Sequence, residues 1–235
     1  MTIVVVANSL AYYDYADRYN LGGLREDEVY PNVLAESLKS ELVAFSKPWR
    51  TVKGALSVTR KVPPMKASAY VLQVGIVEAV PRGYPFWVRK IVERIPNRLL
   101  KHRMNILESR LLRLSRKKCG SIDPSRFGRY LQRTVEVAKA RLSPGTIIVV
   151  GICRIPQSLE STRRGTRANA AALNRVMKRE AKGIGAEYLD LESALDEKFF
   201  LPDLVHFNRL GHLEVARLLQ GIISPRRVPS VASTS

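Results

Sequence analysis

Cysteine is scarce in this chain of 235 residues, which has two, Cys119 and Cys153. Two isolated thiols give neither a metal-ligand spacing nor a disulfide framework, and the expectation is a reducing compartment, the cytoplasm. Acidic residues are also few, 21 Asp and Glu against 39 Lys and Arg, a formal net charge of +18. Such a field favours polyanions, anionic lipid surfaces or anionic substrates; it does not choose among them and does not bear on the fold. Long apolar runs are missing. No stretch approaches the ~20 residues that span a bilayer, which leaves at most a peripheral membrane association. Ile3-Val4-Val5-Val6 has no basic segment before it and no small-residue cleavage site after it, so it reads as a first strand rather than a signal peptide. Helix-turn-helix, zinc-finger and aromatic RNP-like patterns are lacking, which ranks nucleic acid last among partners. Histidine is limited to His102, His206 and His212, which narrows the search for a general base.

What is present is an alternation. Hydrophobic residues make up 46%, enough for one medium α/β domain. Residues 2–7 are a continuous aliphatic run, the pattern of a strand buried on both faces. A tyrosine-rich polar loop follows, then an amphipathic helix from about Tyr30 to Phe45 with Pro31 in its first turn. A short strand is expected before Gly54, and Tyr70 to Gly75 reads as another buried strand. Asp123-Pro124 reads as a cap and first helical residue, starting a helix that ends near Pro144-Gly145. Thr146–Val150 is the next strand. A long helix follows over Thr166–Gly183, then a strand at Glu187–Asp190 and a last helix over Arg209–Ile223 capped by Asn208. Strands alternating with helices imply a parallel sheet covered on both faces. The expected organisation is one domain over 1–224 with an insertion at about 83–120, and a flexible tail at 225–235.

The insertion has its own pattern. Leu100, Met104, Leu107, Leu111 and Leu114 make one apolar stripe of a helix. From Tyr84 to Lys118 there are eleven Lys and Arg and two Glu, net +9, half of the whole excess. This reads either as a solvated helix face or as a basic amphipathic lid or membrane-surface helix, beside Phe86 and Trp87.

In a parallel α/β sheet, ligands bind outside the carboxyl ends of the strands. Ser9 lies at that end of the first strand, in Ala7-Asn8-Ser9-Leu10. By itself this is weak, because most serines there are turn or cap residues. Asp203-Leu204-Val205-His206 stands just before the last helix, at the same predicted edge. His102 lies in the basic insertion, and His212 falls inside a helix where it can simply pack. A serine hydroxyl needs a base within reach and a carboxylate to orient that base. Asp203, three residues before His206, can hold one ring nitrogen while the other faces Ser9.

Ala7-Asn8-Ser9-Leu10 is similar to the first signature block of SGNH/GDSL hydrolases. Pro202-Asp203-Leu204-Val205-His206-Phe207-Asn208-Arg209-Leu210-Gly211-His212 resembles their last block, in which Asp-x-x-His supplies acid and base. The resemblance implies that the backbone N–H of Gly54 joins that of Ser9 in the oxyanion hole. Gly75-Ile76-Val77-Glu78 looks like the third block, usually Gly-x-Asn-Asp, and the run from Asn169 through Asn174 to Asp190 looks like the penultimate helix and strand. Asn8 stands where Asp is common. Val77 stands where the third oxyanion donor, an Asn side chain, is expected, and valine cannot donate; loss of one donor typically costs ~10²–10³ in rate. Asn8, Asn20 and Arg82 are the candidate substitutes. Gln73 to Arg82 looks like a variant block from one branch of the superfamily.

Together these readings predict a three-layer α/β/α sandwich with a five-stranded parallel sheet, flavodoxin-like in class. They predict a Ser9–His206–Asp203 esterase or acyltransferase acting on a small-molecule, carbohydrate or lipid ester. No metal or organic cofactor is implied. The rival reading keeps the fold, takes Val77 as the mark of a disabled site, and makes the protein a module that docks on a polyanion or anionic membrane through 84–118.

Overall fold

The computed structural model describes residues 1–11, 24–81, 96, 100, 103–104, 106–107, 121–201 and 205–224. Its centre is a five-stranded, all-parallel sheet: β1 Thr2–Ala7, β2 Glu41–Ser46, β3 Ala69–Gln73, β4 Thr146–Val150 and β5 Glu187–Leu189, in the order β2-β1-β3-β4-β5. Ala7 stands level with Ser46 on one side and Gln73 on the other. The inner strands β1, β3 and β4 are almost wholly buried, whereas the edge strands β2 and β5 are only partly so. That is why the inner strands are unbroken aliphatic runs: with both faces covered, alternation disappears.

Helices cover the sheet. In chain order they are α1 Tyr30–Ser37, α2 Val52–Thr59, α3 Ile76–Ala79, α4 Pro124–Leu142, α5 Gln157–Thr162, α6 Thr166–Gly183, α7 Leu191–Ala194 and α8 Arg209–Ile223. α4 packs between α2 and α6, and α1 packs against α8. Right-handed crossovers place α1 on the face opposite α2, α4 and α6, because the chain leaves β1 in one direction and β2 in the other. The reversal beside β1 makes its carboxyl end the switch point of the sheet. The core runs on through Phe127, Leu131 and Met177, all fully buried; each such side chain contributes roughly 1.5–3 kcal/mol.

Several expectations need correction. The helix expected to run from Tyr30 to Phe45 stops at Ser37, and its second half is strand β2. Lys39 takes a left-handed φ of 48°, which ends a helix, and Leu42 lies in the strand. Gly54 does not follow a strand directly but sits in the first turn of α2. β3 ends at Gln73, and Gly75, at φ 111°, turns the chain so that Val77 and Glu78 lie in α3. The helices α4, α6 and α8 match their expected ranges. Most of the segment 83–120 lies outside the described residues, as do Asn20, Arg82, Asp203 and the tail 225–235. Leu100, Arg103, Met104, Ile106 and Leu107 are helical, with Leu100 and Leu107 nearly half exposed.

Candidate active site

Ser9 is placed by the end of β1. Asn8, itself buried, donates its N–H to the Gln73 carbonyl at 3.2 Å, one rung beyond the strand pairing. The chain then turns into a short 3₁₀ segment, Ser9–Ala11, in which the Ala11 N–H bonds the Asn8 carbonyl at 3.3 Å. The Ser9 side chain is left half-buried at the switch point, and no described residue accepts a hydrogen bond from the Ser9 N–H.

His206 arrives from the other end of the chain on a pinned loop. Phe200 and Phe207 form an antiparallel bridge, and the Leu201 N–H bonds the His206 carbonyl at 2.7 Å. The Asn208 N–H bonds the Phe199 carbonyl at 3.0 Å, while its side-chain amide reaches the carbonyls of Lys198 at 2.7 Å and Phe200 at 3.1 Å. The same side chain caps α8 by accepting from the Gly211 N–H at 2.9 Å. Gly211 is required here: a Cβ would meet the Phe199 carbonyl oxygen at 2.1 Å. Held this way, His206 puts Nε2 at 3.4 Å from the Ser9 hydroxyl. That is longer than an ideal hydrogen bond and within the looseness seen in ligand-free sites.

His212 does different work. It is buried, stacks on Tyr30, meets Phe207 edge-on, and accepts from the Tyr30 N–H at Nδ1, 3.2 Å away. Burial, helped by the nearby His206, pulls its pKa down to about 3, so it is a neutral packing residue. Cys153 is likewise buried, which pushes its thiol up to about 12 and removes it as a nucleophile. Among the described residues, no group of His, Cys, Asp and Glu is placed to hold a metal, and no helix is long and apolar enough to cross a membrane.

The model of the GDSL-like lipase/acylhydrolase family matches residues 8–213, from beside Ser9 to beyond His206. The chain belongs to this family. It is therefore a GDSL-type ester hydrolase. No curated protein matches its sequence. Among solved structures, it is similar to a carbohydrate acetylesterase family member from Sinorhizobium meliloti, with 16% identity and a TM-score of 0.61 over 95% of this chain and 98% of that one. It is also similar to an aryl esterase from M. smegmatis, with 14% identity and a TM-score of 0.62 over 94% and 97%. A phospholipase A1 from Streptomyces albidoflavus shares 14% identity, with a TM-score of 0.60 over 94% and 98%. At such identities the likeness carries the fold.

Within this GDSL-type frame, the residues of the middle blocks make the following contacts. The Gly54 N–H donates to the Thr51 hydroxyl at 3.1 Å, so it caps α2. Val77 is buried in α3. Glu78, where the third block usually has Asp, accepts from the Val52 N–H at 2.5 Å and so ties α3 to the start of α2. Asn174 grips the end of β4 through the N–H and carbonyl of Ile152, at 2.8 and 2.9 Å, and Asn169 holds the Ala79 carbonyl at 2.9 Å. Of the expected site residues, Ser9, Asn8 and His206 converge on one edge; Asp203, Asn20 and Arg82 lie outside the described residues. One polar group at the end of the Ser9 strand was not foreseen: Arg50 donates Nε–H to the Ala7 carbonyl at 3.0 Å. Its sequence context, Lys-Pro-Trp-Arg-Thr, carries no periodic or motif signal for such a place.

Proposed function

We propose that this GDSL-type hydrolase cleaves esters, or transfers their acyl groups, through a Ser9–His206–Asp203 triad. The observation that carries the reading is the 3.4 Å approach of His206 Nε2 to the Ser9 hydroxyl across the switch point. Ser9 Oγ attacks the ester carbonyl carbon while Nε2 takes the hydroxyl proton, and the carbonyl π pair moves onto oxygen. Collapse of that oxyanion expels the alkoxide, which takes the proton from His206 and leaves an acyl-Ser9. Water, or an acceptor alcohol, then repeats the sequence in reverse. The role of Asp203 rests on its spacing from His206 and on the family resemblance. That no described residue accepts from the Ser9 N–H supports its part in the oxyanion hole. The substrates proposed are small-molecule or carbohydrate esters, in line with the carbohydrate acetylesterase among the similar structures. The basic segment 84–118 is proposed as a helical rim or lid within a single domain.

A fluorophosphonate labelling experiment tests this. Labelling is expected in the native chain and lost in Ser9→Ala. Ester turnover should fall at least ~10³-fold in Ser9→Ala and in His206→Ala, and Asp203→Asn should lose much of the rate while folding normally. Undiminished turnover in Ser9→Ala would end the covalent mechanism. Val77 and the capped Gly54 N–H favour a second reading, a site too poor in oxyanion donors to turn over, with docking through 84–118; absence of labelling in the folded native chain would select it.

A further inference from the structure

An oxyanion needs donors, and two of the three expected are missing from this site. Val77 has no side-chain donor, and the Gly54 N–H is taken by Thr51. Of those three, only the Ser9 N–H is left among the described residues, and one donor leaves the developing charge poorly matched. The loop between β2 and α2 holds a group of the right sign. Lys47, Pro48, Trp49 and Arg50 form a tight turn closed by the Arg50 N–H on the Lys47 carbonyl at 3.3 Å. Pro48 is second in this turn, and Trp49, third, has a φ of 61°. Positive φ at the third position is the type II requirement normally met by glycine. A bulky side chain held there is the kind of backbone strain that clusters at functional sites.

The turn aims Arg50 at the nucleophile strand. The Lys47 N–H at 3.3 Å and Arg50 Nε–H at 3.0 Å both bond the Ala7 carbonyl. Ala7 is two residues before Ser9, so their Cα atoms are at most about 7 Å apart. The guanidinium has five N–H donors in a rigid fork, and those beyond Nε have no partner among the described residues. No described carboxylate pairs with it. Burial lowers its pKa, yet a guanidinium stays cationic in a protein. A half-desolvated charge with no counter-ion among the described residues acts more strongly than one in water.

We propose that Arg50 stabilises the oxyanion formed on Ser9 attack, in place of the amide donor that Val77 cannot supply. The inference rests on the Ser9–His206 reading. It adds a residue to the machinery and changes no bond: the charge that moves onto the carbonyl oxygen during attack faces Arg50 and the Ser9 N–H, and returns on collapse.

The test is kinetic, on a small neutral ester such as p-nitrophenyl acetate, with thermal unfolding to check each variant. Arg50→Gln should lower kcat about 10²-fold while KM moves less than about twofold, because only the transition state carries the charge. A trifluoromethyl ketone that forms the tetrahedral adduct should bind correspondingly less tightly. Adding Val77→Asn to Arg50→Gln should recover at least about tenfold, a rescue that a merely structural arginine would not show. Arg50→Met replaces Gln if the latter does not fold. Val77→Asn alone needs no change at Arg50 and should leave kcat nearly unaltered. The proposal is overturned if the neutral Arg50 variants keep kcat within about threefold, if the loss lies in KM, or if Val77→Asn alone raises kcat tenfold or more. Ser9→Ala separates the two readings: full activity there removes the triad, whereas an inactive Ser9→Ala beside an active Arg50→Gln removes only Arg50.

Discussion

His206 and His212 flank the start of α8 and differ by what surrounds them. His206 faces the Ser9 hydroxyl, and His212 is sealed among Tyr30 and Phe207. A buried imidazole pulled from an ordinary 6.5 to about 3 must be neutral in the folded chain. The unfolded chain binds that proton more readily, so the stability due to a neutral His212 is complete above about pH 6.5 and drains away as pH falls toward 3. The slope from this one group is at most ~1.4 kcal/mol per pH unit. Urea midpoints of the native chain and of His212→Phe, compared at pH 7 and pH 4.5, should converge toward acid; a constant gap would show that His212 does not titrate with folding. At this scale the sequence was legible where the chemistry is distinctive. Ser9 and His206 stood out because a strand end and a loop histidine with an acid three residues away form a pattern. Arg50 and Glu78 did not, because a loop arginine on a carbonyl and a buried carboxylate capping a neighbouring helix acquire their roles only through contacts distant in sequence.

The elements that position the site were read unevenly, and the reason is local. α4, α6 and α8 carry caps or stops that the chain states outright: Asp123 accepts from the Ser125 and Arg126 N–H groups, and Asn208 from that of Gly211. The α1–β2 junction has no such mark. Leu38 and Leu42 are spaced as on a helix face, and the left-handed Lys39 that separates helix from strand is not a residue that announces a turn. α3 was missed because one turn of helix is too short to show a period. The Gly211 contact gives a prediction at this level. In an open helix Gly→Ala stabilises by ~0.5–1 kcal/mol. Gly221, with nothing within 4 Å of a new Cβ, should behave so, whereas at Gly211 the Phe199 carbonyl at 2.1 Å must move. Gly211→Ala is expected to destabilise by ~1–3 kcal/mol and to lower kcat by displacing the His206 loop. Gly221→Ala should raise the melting temperature and leave turnover intact. Equal, small shifts for both would mean that α8 and the loop yield without cost.

At the scale of the whole molecule, the charge is unevenly distributed. The net charge is +18, and half of it falls in the segment from Tyr84 to Lys118. That segment follows the turn at Gly75–Ala79, so it leaves the sheet from the carboxyl edge that holds Ser9. Of the four described apolar residues of its helical part, Leu100, Ile106 and Leu107 stay between 41% and 47% exposed, and Met104 is half-buried. Exposed leucine and isoleucine among many arginines suit an anionic surface better than a closed core. Attraction of this kind is screened, since the Debye length falls from about 10 Å at 0.1 M salt to about 3 Å at 1 M. Binding of the native chain to vesicles containing phosphatidylserine should therefore be strong at low salt and lost at high salt. Replacing Arg98, Lys101, Arg110 and Arg113 by Gln removes four of the eleven basic residues. At ~1 kcal/mol per basic residue near the surface, this should weaken binding by two to three orders of magnitude. Turnover of a small neutral ester should stay within about twofold, because none of the four belongs to the proposed triad or to its oxyanion donors. Undiminished vesicle binding by the quadruple variant would move the docking surface elsewhere on the molecule; a parallel collapse of neutral-ester turnover would instead make the segment part of the catalytic pocket.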